Sequence, residues 1–229
     1  MKYDKILFDL DNTILDFNKA EKSAYETASK IFNVEYNDEN YHLYHEINDK
    51  LWKRLEKGGY ERSKLIFDRW NEYFNVLGVK GIEPLEFNKV YVENLGKGRF
   101  LMKNAFETVK GASDMGAKCY IVTNGLLSVQ KNRLEGQPFM EYISGVCVSE
   151  AVGANKPEKT FFENAQKLFG ITFDSKTIVV GDSLTSDILG GINFGLDTLY
   201  VNVFKKPNLS SIKPTYEIDE IIKVLDVIK

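Results

Sequence analysis

Cysteine, histidine, long apolar runs and charge of a single sign are all scarce in this chain, and each scarcity removes a class of function. Two cysteines cannot build a disulfide scaffold. Cys119 and Cys147 are no close metal-binding pair; both lie in apolar runs, CYIV and ISGVCV, where a thiol behaves as a small buried hydrophobe. His42 and His45 sit three residues apart in a helical-looking segment. Two histidines alone make a poor zinc site, so helix surface or packing is the plainer reading, with a substrate pocket or a metal as alternatives. No apolar stretch reaches membrane-spanning length, and no signal peptide precedes the first strand pattern. The expectation is a cytoplasmic protein without a membrane partner. Lysine and arginine number 30 against 33 acidic residues, with no long basic block. A nucleic acid polymer needs a concentrated positive face and is not the expected partner.

What is present is an ordinary globular composition, 43% hydrophobic and 28% charged over 229 residues. That length suits one large domain or a core with a smaller attachment. Apolar runs bounded by turn residues predict strands at 4–9, then in AKCYIVTNG, YISGVCVSE, KTIVVGDS and DTLYVNVF. Helical spacing predicts helices over Phe17–Phe32, Asn37–Glu56, Ser63–Leu77, from Asn88, over Leu101–Met115, Leu127–Leu134, Lys159–Leu168 and Leu184–Phe194, and finally in IDEIIKVLDVIK. Strands alternating with helices argue for a parallel sheet covered on both faces. Residues 16–93 carry no strand pattern and read as a helical insertion after the first strand, which leaves 1–15 and 94–229 as the α/β core.

The stretch KILFDLDNTILD ends an apolar strand with Asp9 and Asp11, two residues apart. Charge at the end of a core strand is costly unless a solvated loop or a cation offsets it. Strand alternation puts both carboxylates on one side if the extended geometry persists. Other strand ends carry Thr123 and Asn124, then Asp182 and Ser183 with Asp187 shortly after, while GANKPE offers Lys156. Taken singly, each of these fits a turn, a cap or a solvated loop. In an open α/β sheet, however, ligands bind at the carboxyl ends of the strands, where all of them converge. Clustered carboxylates without His or Cys favour Mg²⁺, which shares its shell readily with a phosphate. In that chemistry Asp9 suits a nucleophile toward phosphorus and Asp11 a proton donor. Thr123 and the loop amides would hold phosphoryl oxygens, and Lys156 would meet the developing negative charge. Asp182 and Asp187 would complete the metal site or orient its water and the lysine. Neither GDSLTSDILGG nor TNGLLS fits a phosphate-loop or lipase-type motif, and no dinucleotide fingerprint follows the first strand.

DLDNT, the strand ending in Thr123 and Asn124, Lys156 in GANKP, and GDSLTSD occur in the order and rough spacing of four motifs. With them the chain resembles the haloacid dehalogenase-like hydrolase superfamily, in the subclass with a helical cap. The resemblance implies a Rossmann-like three-layer core with a mainly parallel sheet, and residues 16–93 as the cap. It implies a two-step phosphomonoester hydrolysis in which Asp9 becomes an aspartyl phosphate and Asp11 serves as general acid, then general base. Mg²⁺ would be held by Asp9, the backbone carbonyl of Asp11 and Asp182, with Ser183 and Asp187 in support. Thr123, Asn124 and Lys156 would bind the phosphoryl group alongside the two opening aspartates. The halide-releasing branch lacks the second aspartate of the first motif, so Asp11 implies a phosphatase. CYIVTNGLLSVQKNRLE, VSEAVGANKPEKTFF, GDSLTSDILGGINFGLDTLYVN and LWKRLEKG are further similar to the bacterial 5′-nucleotidase branch that prefers pyrimidine nucleoside monophosphates. One departure is GKGRFLMKNAFE, where that branch usually has a Pro-Gly-Ala turn. Phosphatases of phosphoglycolate, sugar phosphates or other metabolites, a phosphomutase, and an inactive binding module are the alternatives. Trp52, Tyr60, Phe67 and Trp70 are candidates to stack on a base, or are helix core. A monomer or homodimer is expected.

Overall fold

The apolar runs at the start and in the second half of the chain become six strands. They are β1 (Lys5–Phe8), β2 (Lys118–Thr123), β3 (Ile143–Val148), β4 (Thr177–Gly181), β5 (Asp197–Val201) and β6 (Tyr216–Ile218). The computed structural model describes residues 1–229. It divides into two units, Met1–Phe17 with Arg99–Lys229, and Asn18–Gly98.

In the first unit the strands lie in the order β3-β2-β1-β4-β5-β6, and all pairings are parallel. Phe8 in β1 stands between Ile121 of β2 and Val180 of β4, so the first strand is central. A central parallel strand is covered on both faces and reads as unbroken apolar sequence; Ile6, Leu7 and Phe8 are fully buried accordingly. Ile6 and Phe8 join Cys119, Ile121 and Val180 in one cluster, against Val109 and Ala112 of α5 (Ala105–Asp114) and Val224 of α10 (Val224–Val227). Leu7 points the other way, to Val122 and Val179 and to Phe161, Phe162 and Ala165 of α8 (Lys159–Phe169). The result is a three-layer, Rossmann-like core whose strand order reverses beside β1, the place where such sheets bind ligands. Three shorter helices complete it: α6 (Leu127–Leu134), α7 (Ser149–Val152) and α9 (Leu189–Phe194).

Some expectations need correction. The last predicted helix began at Ile218, but Ile218 ends β6, which pairs along β5; only a 3₁₀ turn at Ile221–Lys223 and α10 are helical there. Backbone pairing at the sheet edge outweighs the helical spacing of a short segment. The helix expected over Leu184–Phe194 opens as a π-turn, Leu184–Ile188, before α9. The helix expected from Leu101 starts at Ala105, because Leu101 forms an antiparallel bridge with Leu15.

The second unit contains helices and no strand: nearly all of α1 (Phe17–Ile31), then α2 (Asp38–Glu56), α3 (Arg62–Leu77) and α4 (Pro84–Leu95). Ala20, Ala24 and Ala28 form the buried face of α1. Asn37 caps α2, its Oδ1 accepting from the Asn40 amide at 2.8 Å. Pro84 opens α4 at a position where no amide is needed. The core is aromatic. Trp70 is fully buried, stacked on Tyr44 with centroids 4.4 Å apart and against Phe87 at 4.5 Å. Tyr60 is also buried and donates to Asp68. Trp70 and Tyr60 are therefore packing residues, and of the four base-stacking candidates only Trp52 and Phe67 keep accessible surface. His45 does not pair with His42. Its Nδ1 lies 2.6 Å from Oε2 of Glu21, a fully buried carboxylate that also accepts from Tyr41 and Asn48. No helix in the chain is long and apolar enough to cross a membrane.

Candidate active site

Strand β1 stops at Phe8, and the backbone of Asp9 is tied to the neighbouring strand by its amide, which donates to Val180 at 2.8 Å. The chain then turns. Leu10 accepts from the amides of Ile14 and Leu15 at 3.0 and 2.8 Å, and Asn12 takes a left-handed conformation, φ 58°. Extended alternation therefore does not persist, and the direction of Asp11 is set by this turn. Asp9 is buried at the strand end. The Asp11 carboxylate is instead taken by two side chains of α6: Arg133 Nη1 donates to its Oδ1, and Gln130 Nε2 donates to its Oδ2 at 2.7 Å.

Lys156 is the electrostatic centre. It is buried, and its ammonium donates to Asp9 Oδ1 at 2.6 Å, to Asp187 Oδ1 at 2.7 Å and to the carbonyl of Val122 at 2.7 Å. The loop carrying it is fastened to β2 by a reciprocal pair. The Asn124 side-chain amide donates to the Lys156 carbonyl, and the Lys156 amide donates to Asn124 Oδ1, both at 2.9 Å. Thr123 ends β2 with its hydroxyl accepting from Gln130 Nε2 at 3.0 Å and from the Gly125 amide at 3.3 Å.

Asp187 returns toward β4 through the π-turn. Its Oδ2 accepts from the Ser183 amide at 3.1 Å, and the Ser183 hydroxyl accepts from the Ser186 amide at 3.2 Å. Gly181 permits this approach, since a Cβ there would lie 2.2 Å from Asp187 Oδ2. Asp9, Asp182 and Asp187 can each present a carboxylate oxygen, all within 4.8 Å of one another. Burial pushes the Asp9 carboxyl well above the usual carboxylate range, with Asp187 and Asp182 adding to the shift and Lys156 opposing it. Burial and the Asp187 charge push Asp182 up to about 8. Burial works against the Lys156 ammonium, but Asp187 and Asp9 outweigh it and hold the lysine above its ordinary value. One ammonium among these carboxylates leaves negative charge uncompensated. A hard divalent cation bound by oxygens alone, Mg²⁺, fits that donor set.

The structure thus brings Asp9, Lys156, Asp182 and Asp187 together, with Thr123, Asn124 and Ser183 at the adjoining strand ends. The carboxylate that clusters with Asp9 and Asp182 is that of Asp187, while the Asp11 side chain is engaged by Arg133 and Gln130. Those two residues were missed in the sequence. Both look like ordinary polar positions of a short helix, yet both are buried. Their one legible signal is their spacing of three, which places them on one face of α6 just after Thr123.

Residues 3–195 match the family pattern of haloacid dehalogenase-like hydrolases. Over its length the chain is 33% identical to YfnB of Bacillus subtilis, named as a HAD-hydrolase, covering 99% of this chain and 97% of the relative. A crystal structure of YfnB bound to magnesium superposes with a TM-score of 0.93 at 31% identity, covering 100% of both chains. The pyrimidine 5′-nucleotidases PynA of Streptococcus pneumoniae and YjjG of Escherichia coli are 31% and 30% identical, covering 99% and 96% of this chain and 95% and 96% of theirs. Fold, carboxylate cluster and sequence agree: the chain belongs to the haloacid dehalogenase-like hydrolases.

Proposed function

We propose that this hydrolase is a phosphatase that cleaves small phosphomonoesters through an aspartyl phosphate on Asp9, with nucleoside 5′-monophosphates as the preferred class. The observation that carries the reading is a nucleophile-capable carboxylate, Asp9, bonded to a buried lysine beside two further carboxylates, with a second aspartate, Asp11, at hand for the proton. Mg²⁺ bound at the cluster supplies charge neutralisation for the carboxylates and the phosphoryl oxygens. Asp9 attacks phosphorus, and the ester oxygen leaves with the bonding pair and takes a proton from Asp11. Asp11 then removes a proton from the water that attacks the phosphoenzyme, releasing phosphate and restoring Asp9. Thr123, the Asn124 amide and Lys156 hold the phosphoryl oxygens, and Ser183 and Asp187 support the metal site. The helical insertion serves as the specificity-setting cap. The identities to PynA and YjjG support the nucleotide preference.

The test is phosphate release with Mg²⁺ over nucleoside monophosphates, sugar phosphates and phosphoglycolate, with rapid acid quench and peptide mass analysis of the enzyme. Phosphate should appear on Asp9, with the highest kcat/KM for a pyrimidine nucleotide. Label on another residue would overturn the mechanism. A higher kcat/KM for a sugar phosphate would overturn the substrate class alone.

A further inference from the structure

We infer that Arg133 and Gln130 are positioning residues for the proton-transfer carboxylate Asp11, an inference that rests on the phosphatase reading above. Arg133 is fully buried, and a guanidinium in that setting needs strong partners. Its Nη1 donates to Asp11 Oδ1 and to Gln130 Oε1 at 3.2 Å, and its guanidinium carbon lies 5.8 Å from the ring centroid of Phe17. Gln130 is buried as well. Its Nε2 is shared between Asp11 Oδ2 at 2.7 Å and Thr123 Oγ1 at 3.0 Å, so one side chain spaces the proton-transfer group from the proposed phosphoryl-binding hydroxyl. Room for it comes from Gly125, where a Cβ would lie 2.1 Å from Gln130 Nε2.

Each oxygen of Asp11 accepts from its own donor, which fixes the side chain in one orientation. In the first step Asp11 passes from acid to carboxylate. As Asp9 Oδ bonds to phosphorus and the ester P–O bond breaks, the proton moves from Asp11 to the leaving oxygen, and the negative charge left on Asp11 falls on Arg133 and Gln130. Donors fixed in place before charge develops favour the transition state more than the ground state. In the second step the same two donors aim the carboxylate at the attacking water, whose proton returns to Asp11.

The experiment compares the wild type with Arg133→Met, Arg133→Lys, Gln130→Leu, Asp11→Asn and the double variant Asp11→Asn/Arg133→Met. The readout is the single-turnover rate of Asp9 phosphorylation with Mg²⁺, using an alkyl phosphate (a nucleoside monophosphate) and an aryl phosphate whose leaving group needs no proton. Arg133→Met and Gln130→Leu should slow phosphorylation by the alkyl ester about 10- to 100-fold, as expected when a charge-assisted hydrogen bond is lost, and by the aryl ester less than about 3-fold. KM should hardly move, Arg133→Lys should recover part of the rate, and the double variant should be no slower than Asp11→Asn. Thermal melts confirm folding, and Gln130→Leu carries the test if Arg133→Met does not fold. Equal losses on both esters, or losses that multiply with that of Asp11→Asn, would overturn the inference while leaving the phosphatase reading intact. No phosphate release by the wild type from either ester would overturn both.

Discussion

Lys156 and Asp9 are bonded to each other, yet replacing them should have opposite consequences for folding. Lys156 gives its three donors to Asp9, Asp187 and the Val122 carbonyl. Lys156→Met removes the cation shared by Asp9 and Asp187 and leaves two buried carboxylates facing each other. Breaking a buried ion pair from one side costs about 3–5 kcal/mol, so urea unfolding should show a loss of that order together with loss of turnover. Asp9→Asn keeps the shape and an oxygen that can accept from Lys156, and it removes a charge that burial disfavours. The unfolding free energy should stay within about 1 kcal/mol of the wild type or rise, while turnover disappears, because an amide is a poor nucleophile toward phosphorus. A stable Lys156→Met, or an active Asp9→Asn, would contradict these assignments.

At the level of elements, the junction of β4 with its π-turn decides where Asp187 stands. The strand delivers Asp182, and the turn brings Asp187 back beside it only because Gly181 has no side chain. Gly181→Ala should push Asp187 away from Lys156 and weaken the carboxylate cluster. The expected result is a higher Mg²⁺ concentration for half-maximal activity, with a modest change in melting temperature. An unchanged Mg²⁺ requirement would mean that Asp187 takes no part in holding the cation. The helical insertion depends on different devices. Asn37→Ala removes the cap of α2 and should cost about 1 kcal/mol, with no effect on the Mg²⁺ dependence.

For the protein as a unit, the carboxylates link stability, pH and metal. Asp182 is raised from 3.8 to about 8 and Asp9 is raised as well. In the metal-free protein the folded state therefore holds protons that the unfolded chain has released between about pH 4 and pH 8. Stability from these groups is present at the acid end and is lost as pH rises through that window. Mg²⁺ needs the same groups ionised, so its affinity rises over the same interval. Mg²⁺ at 100 times its dissociation constant adds about 2.7 kcal/mol, or about 5–10 °C for a chain of this length. Thermal melts at one fixed Mg²⁺ concentration should show a larger upward shift at pH 8 than at pH 5.5. An equal shift at both, or a larger one at pH 5.5, would show that protons and Mg²⁺ do not compete for this cluster.

How far the molecule could be read in advance depended on the range of the interactions involved. The central strand, the α/β alternation and the helical insertion follow from local hydrophobic periodicity, which adjacent residues carry in full. Asp9, Thr123 and Asp182 were legible because polar residues ending apolar strands stand out against the run before them, and Lys156 because GANKP falls in the order of the four motifs. Tertiary structure decided the rest. β6 exists because β5 offers its edge, and a three-residue strand has too little pattern to announce itself. Trp70 became core and not a ligand platform through contacts with Tyr44 and Phe87, residues distant in sequence. Whether Asp11 or Asp187 joins the carboxylate cluster turned on a left-handed residue at Asn12 and a missing Cβ at Gly181. Arg133 and Gln130 carried only the signal of their spacing, because a polar residue on a short helix looks solvated until the fold buries it. Burial and long-range pairing join segments separated in sequence, by 122 positions for Asp11 and Arg133, and no local window contains both partners.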